Sequence, residues 1–274
     1  MTIILRMVLP VFAIIIIGTT VQASYNGDRY EPELVAMEAP LSHLDFDIRN
    51  GAAFRFHLNN FGFGVGGEYR RVLGRNTKGV FEFQIGNVKD ESEQSFRDYW
   101  GVSTIPNKYN RIIAFPAMLG VKQRLFSERL SDNFRLFVQA SGGPSPAYVY
   151  PYYDHDRFGY GFRITHEMVG FTVDPNYDPF EGWGEGEFVL GAAGHLSIGA
   201  NIGGDFGNIQ TISIGYFFHY YPDGIQVMEP NRPGPGFVVG EDPANMPSTA
   251  IQPANSRQSF FGTPHITFVF GTMW

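Results

Sequence analysis

Two residues have the spacing of a nucleophile and its base. His195 and Ser197 lie two apart, so on an extended strand their side chains share a face. An imidazole there could activate the hydroxyl if an acid oriented the ring. A second chemistry-bearing group is rich in oxygen. Asp154 and Asp156 precede Gly159, and Asp174, Asn176 and Asp178 precede Glu181. Hard cations such as calcium want several oxygen ligands from a short loop. The competing reading is turn chemistry, because Asp and Asn cap their own backbone in turns. A third group mixes both signs of charge: Glu68, Arg70, Glu82, Lys122, Arg124, Arg135, His219 and His265, with Arg55, His57, Gln84, Gln139 and His195 in the same pattern.

The elements that carry these residues alternate with period two, the mark of strands with one apolar face. In the last segment Phe260, Ile266, Phe268, Phe270 and Trp274 stand on one face and Thr263, His265, Thr267 and Gly271 on the other. Ile212, Ile214, Tyr216, Phe218 and Tyr220 oppose Thr211, Ser213, Gly215 and His219 in the same way. The pattern predicts eight strands near 51–59, 61–73, 78–90, 109–126, 134–149, 184–200, 210–222 and 258–274. After the tight first turn, short connections (74–77, 127–133, 201–210) alternate with long ones (91–108, 150–183, 223–257). Transmembrane barrels have short periplasmic turns and long outer loops. The predicted fold class is therefore all-β, an eight-stranded antiparallel up-and-down transmembrane β-barrel. The mixed charges then fall on the lumen face. A barrel of eight strands is just wide enough for side chains to fill it, and buried charges must pair. A structural plug is the expectation, and a solute or proton path the rival. His195 and Ser197 also point inward, which suits packing better than lipid cleavage.

Residues 1–23 have a basic n-region at Arg6, an apolar stretch from Val8 to Ile17 and a small-x-small site ending at Ala23. This predicts a secretory signal peptide. Residues 24–50 are polar and predict an irregular periplasmic arm, leaving 51–274 as the barrel. Seven prolines from Pro222 to Pro253 predict that 223–257 is a surface loop without regular structure. The net charge of -7 leaves no basic stripe for nucleic acid. The absence of cysteine excludes a thiolate metal site and a cysteine nucleophile. Glycines at 62–69 sit in a strand and precede no helix, so they do not make a nucleotide-binding loop.

The signal peptide, the period-two strands and the terminal aromatics resemble the small eight-stranded bacterial outer-membrane barrels. That resemblance covers residues 51–274. It implies that Phe268, Phe270 and Trp274 form the C-terminal signal read by the barrel-assembly machinery. His195-Leu196-Ser197 also resembles the His-x-Ser of the lipid A deacylase barrels, but Ile198 stands where that family usually has Asn. A fold of this kind implies no single activity. The expected function is a structural or surface-binding barrel among outer-membrane lipids and lipopolysaccharide, with no cofactor beyond the calcium considered above. The alternatives are a lipid hydrolase using His195 and Ser197, a narrow channel, and a secreted lipocalin-like binding barrel.

Overall fold

A computed structural model describes residues 40–97, 103–153, 159–164, 180 and 182–274. Eight long strands make the wall: β1 Asn50–Asn59, β2 Gly62–Val72, β3 Thr77–Val88, β4 in two segments (Asn110–Ala114 and Ala117–Arg124), β5 Phe134–Pro151, β6 Glu187–Ile202, β7 Asn208–Ile225 and β8 Gln258–Met273. Each pairs antiparallel with its sequence neighbour. β1 and β8 also pair, from Gly51 opposite Met273 to Asn59 opposite His265, which closes the cylinder. Closure removes the free edges that would otherwise template association.

Pro116 interrupts β4, since it cannot donate to the ladder. The register is unchanged across the gap: Ala114 faces Ala147 and Leu119 faces Gly142 on β5. β4 is thus one strand with a local break, as the single stretch 109–126 implied. β7 bulges between Tyr220 and Ile225, where Gly224 takes φ of 63°. A side chain at that backbone angle is strained, so the bend falls on glycine.

Parity decides what each face meets. Phe54, Val65, Phe83, Leu119, Val138, Ile198, Ile214 and Phe270, one from each strand in turn, are exposed on the outside. Their neighbours point inward and are buried. Val269 and His265 face the lumen while Phe270 and Ile266 face out, and a slip of one residue would exchange the faces. This is the inverse of a soluble ligand-binding barrel, whose interior is apolar and whose exterior is wet.

The two ends differ. Turns at 73–76, 125–133 and 203–207 define one end, called here the turn end, and long connections define the other, the loop end. Chain 40–49 returns to the turn end. Its 3₁₀ turn His43–Phe46 stops at Asp47, which adopts φ of 57°. His43 and Phe46 pack on Phe206 with ring centroids 4.9 and 5.2 Å apart. Arg124 donates to the Leu41 carbonyl at 2.8 Å, and Arg75 grips Asp45 with two nitrogens. The described part of the arm is therefore an ordered stopper rather than irregular chain.

The proline-rich connection at the loop end also departs from expectation. Asn231–Pro233 and Ile251–Pro253 form a short ladder, and Pro243–Asn245 a 3₁₀ turn capped by the Asp242 carboxylate. Proline tolerates both settings because edge strands and first helical turns waste no N–H. Val227 packs into the barrel's upper core. Phe237 meets Tyr160 and Phe162 at 4.9 and 5.0 Å. The Glu229 carboxylate accepts from the Arg163 N–H at 2.7 Å. These contacts pack the connection onto the loop end.

Candidate functional site

The lumen is the only place where the strands gather titratable groups among the described residues, and it is zoned along its length. At the loop end it is apolar: Phe61, Val88, Ile112, Val149, Tyr221 and Phe261 pack as one cluster. The β1–β2 turn swings Phe61 inward to seal it. Such side chains stabilise the fold by about 1.5–3 kcal/mol each when fully buried. Buried apolar groups continue lower down, with Met118, Ala193 and Phe217 in one cluster and Ile209, Val269 and Met273 in another, so the lumen face is not uniformly polar.

The middle zone holds Glu68 and Glu82, whose side chains are fully buried. They stand opposite each other on β2 and β3. Two carboxylates so placed repel, and cations are built in between. Arg55 pairs with Glu82 and, at 2.8 Å, with Glu68. Arg70 pairs with Glu68, and Lys122 Nζ donates to the same carboxylate at 3.4 Å. Gln139 Nε2 donates to Glu82 at 2.5 Å. Arg70 also donates to Asn201 and to Thr211, both at 3.3 Å. Lys122 Nζ lies 4.3 Å from the Phe137 ring centroid. The network thus joins β1, β2, β3, β4, β5, β6 and β7 across the barrel. Buried ion pairs contribute little net stability against apolar packing, but losing one partner is costly.

Four histidines lie above and beside this network. His195 Nδ1 is 3.3 Å from Glu82, although the angle does not make a hydrogen bond. Its ring meets His265 edge-on at 5.6 Å and stacks on Phe217 at 6.0 Å. No hydrogen bond links His195 with Ser197 among the described residues. The arrangement proposed from spacing therefore brings the two to one face without coupling them. A different pair is coupled: Ser145 Oγ lies 2.9 Å from His219 Nδ1, with the Tyr221 hydroxyl 3.4 Å from the same oxygen. Ser145 is wholly buried, and no carboxylate orients His219 among the described residues. A sealed pair of this kind can fix side chains but cannot receive a substrate.

Of the residues assigned to a lumen network from sequence, Glu68, Arg70, Glu82 and Lys122 meet in the middle zone. His265 lies beside them, edge-on to His195, and His219 lies higher. Arg124 and Arg135 lie lower, at the turn end, where Asp132 supplies a carboxylate oxygen to Arg124 at 2.7 Å and a carbonyl to Arg135 at 2.9 Å. Spacing missed Lys78 and His43, whose Nζ and Nε2 are 2.9 Å apart. The parity of β3 that turns Glu82 and Gln84 inward also turns Lys78 inward. Nothing in the sequence points His43 into the barrel. An ammonium only donates, so Nε2 accepts and the His43 ring is neutral. Burial, then the charge on Lys78, hold its pKa down at about 2.

Two cavities that reach into the lumen among the described residues are small. One of about 10 Å³ lies among His57, Gln84, Phe217 and His219, and one of about 20 Å³ at the turn end. A single water needs roughly 10–15 Å³ on this measure. The oxygen-rich residues Asp154, Asp156, Asp174, Asn176, Asp178 and Glu181 lie outside the described residues. Phe268 and Phe270 are on the outer face of β8, and the exposed Trp274 directly follows its last residue.

No family model and no curated protein matches the chain. Among solved structures it is similar to Neisserial surface protein A, at 6% identity over 83% of this chain and 96% of that one, with a TM-score of 0.36. It is also similar to Ail, the attachment invasion locus protein of Yersinia pestis, at 8% identity over the same shares, with a TM-score of 0.32. The barrel assignment rests on the strand pairing described above.

Proposed function

We propose that this chain is an integral outer-membrane β-barrel with a structural or surface-binding role. In this reading residues 1–23 direct export and are removed, and the turn end faces the periplasm. The loop end then faces outward, and lipids and lipopolysaccharide surround the wall. The observation that carries the reading is the apolar outer belt contributed by all eight strands. Soluble monomers rarely expose an apolar patch beyond a few hundred Å², and in lipid only helices and closed barrels satisfy their backbone. The filled middle zone and the chain packed onto both ends argue against conduction. The inward placement of His195 and Ser197 argues against cleavage of membrane lipid. That leaves the loop end as the working surface, where Phe180, Trp183 and Val238 are exposed. Terminal aromatics on the lipid-facing row of β8 suit recognition by the barrel-assembly machinery.

The test is extraction and migration. The protein should stay with outer membranes through alkaline and urea washes, and should migrate faster on denaturing gels unheated than boiled. Release by urea, with one mobility heated or unheated, would refute insertion. Protease shaving of intact cells should cut within the long connections and leave the barrel.

A further inference from the structure

At the turn end two cations, Lys78 and the buried Arg135, lack an ion-pair partner among the described residues. Arg124 is answered by Asp132, Arg75 by Asp45, and Arg70 and Lys122 by Glu68. Lys78 and Arg135 have no carboxylate within 4 Å among the described residues. Lys78 Nζ contacts only the neutral His43 ring and, at 3.7 Å, the Met273 sulfur. Arg135 is 97% buried by its 3% exposure; it donates to a carbonyl, lies 4.4 Å over the Phe206 ring, and its Nε has no partner. Both side chains line the same cavity of about 20 Å³, together with Lys122, Arg124 and His43.

We infer that this cavity binds one halide-sized anion, chloride in ordinary surroundings, held by Lys78 and Arg135 beneath the 40–49 stopper. A water could satisfy the Arg135 N–H but would add no counter-charge beside Lys78 and Arg135, since Asp132 and Asp205 act on Arg135 only from beyond ion-pair distance. A cation withdrawn from water without a partner is costly, and a mobile anion is the simplest counter-charge within reach. Size sets the class. The cavity holds little more than the roughly 10–15 Å³ that one water requires, which suits a single-atom anion better than the four oxygens of sulfate or phosphate. The stopper covers the site, since His43 both lines the cavity and accepts from Lys78. Anion and stopper should therefore stabilise each other.

Crystals grown in bromide test this directly. One anomalous peak is expected in the cavity, within hydrogen-bond reach of Lys78 Nζ and Arg135 Nε; no peak there overturns the inference. In detergent solution, replacing a bulky sulfonate salt by chloride at equal ionic strength should raise the unfolding midpoint by several degrees. Lys78→Met and Arg135→Met should each lose most of that rise. Equal midpoints in the two salts, or an equal rise with sulfate, would refute a halide site. Should both variants fail to fold, chlorine NMR of the unaltered protein decides. Excess line broadening that bromide competes away supports the site, and its absence overturns it. These readouts do not depend on how the protein is localised.

Discussion

Replacing Glu82 with alanine should be among the most damaging single changes in the barrel wall. Its side chain is fully buried, so no solvent can take over its role. The substitution strips Arg55 of one of two carboxylates, removes the 2.5 Å acceptor from Gln139, and leaves the His195 ring facing an empty space. Breaking a buried pair by removing one partner costs about 3–5 kcal/mol. With guanidinium slopes of a few kcal/mol per molar, the unfolding midpoint should fall by on the order of 1 M. The double variant Arg55→Leu with Glu82→Leu should recover most of that loss, because it removes the two buried charges together. Glu68 keeps Arg70 and Lys122 in either case. Equilibrium unfolding of the refolded protein in detergent, run as a double-mutant cycle, measures the coupling. A Glu82→Ala cost under about 1 kcal/mol, or a double variant no better than the sum of the singles, would refute the reasoning.

The stopper should loosen in acid. His43 is neutral when docked, with its pKa held at about 2, and free it titrates near 6.5. Docking is therefore fully favoured above that free value and weakens as pH falls toward the docked one. In chloride-free buffer the loss at about pH 5 should be roughly 2 kcal/mol, seen as faster amide exchange across 40–49, and His43→Asn should abolish the pH dependence. Gly143→Ala should destabilise by about 1–3 kcal/mol because its new methyl would strike the Ala117 carbonyl. Gly142→Ala, with open space to 3.5 Å, is the near-neutral control. Trp274→Ala should lower the amount of barrel reaching the membrane while leaving the midpoint of the assembled protein nearly unchanged. That substitution keeps the Trp274 backbone, whose carbonyl accepts from Arg49 and Asn50 at 2.9 and 2.8 Å and whose deletion would open the β1–β8 seam. Planar-bilayer recordings should show no steady conductance.

The wall was legible in sequence because parity is a local property. Once Phe268 and Phe270 were placed outward, His265 and Thr267 had to face in, and the same arithmetic placed Glu68, Glu82 and Lys122. Loop lengths then supplied the topology, since the short and long connections alternate. What was not legible depends on tertiary closure. The arm 40–49 has no periodicity, and its position is set by Arg75, Arg124 and Phe206, residues remote in sequence. The proline-rich connection reads as irregular because proline lacks a donor, yet Pro233, Pro243 and Pro253 fall where no donor is needed. The heights at which ionic and apolar groups meet in the lumen were also hidden, because they depend on which strands bring their inward residues to the same level. The pairing of Ser145 with His219 follows from that same stagger.

The central claim is that the outer face of this barrel meets lipid and the inner face does not. The chain has no cysteine, so single cysteines can be introduced one at a time along 260–274 without background. Spin labels attached to them in lipid vesicles would report collision with membrane-dissolved oxygen at each position. High accessibility is expected at 266, 268 and 270 and low accessibility at 265, 267 and 269, a period of two. Uniform accessibility to a water-soluble relaxant across the segment, or the alternation reversed, would contradict the claim.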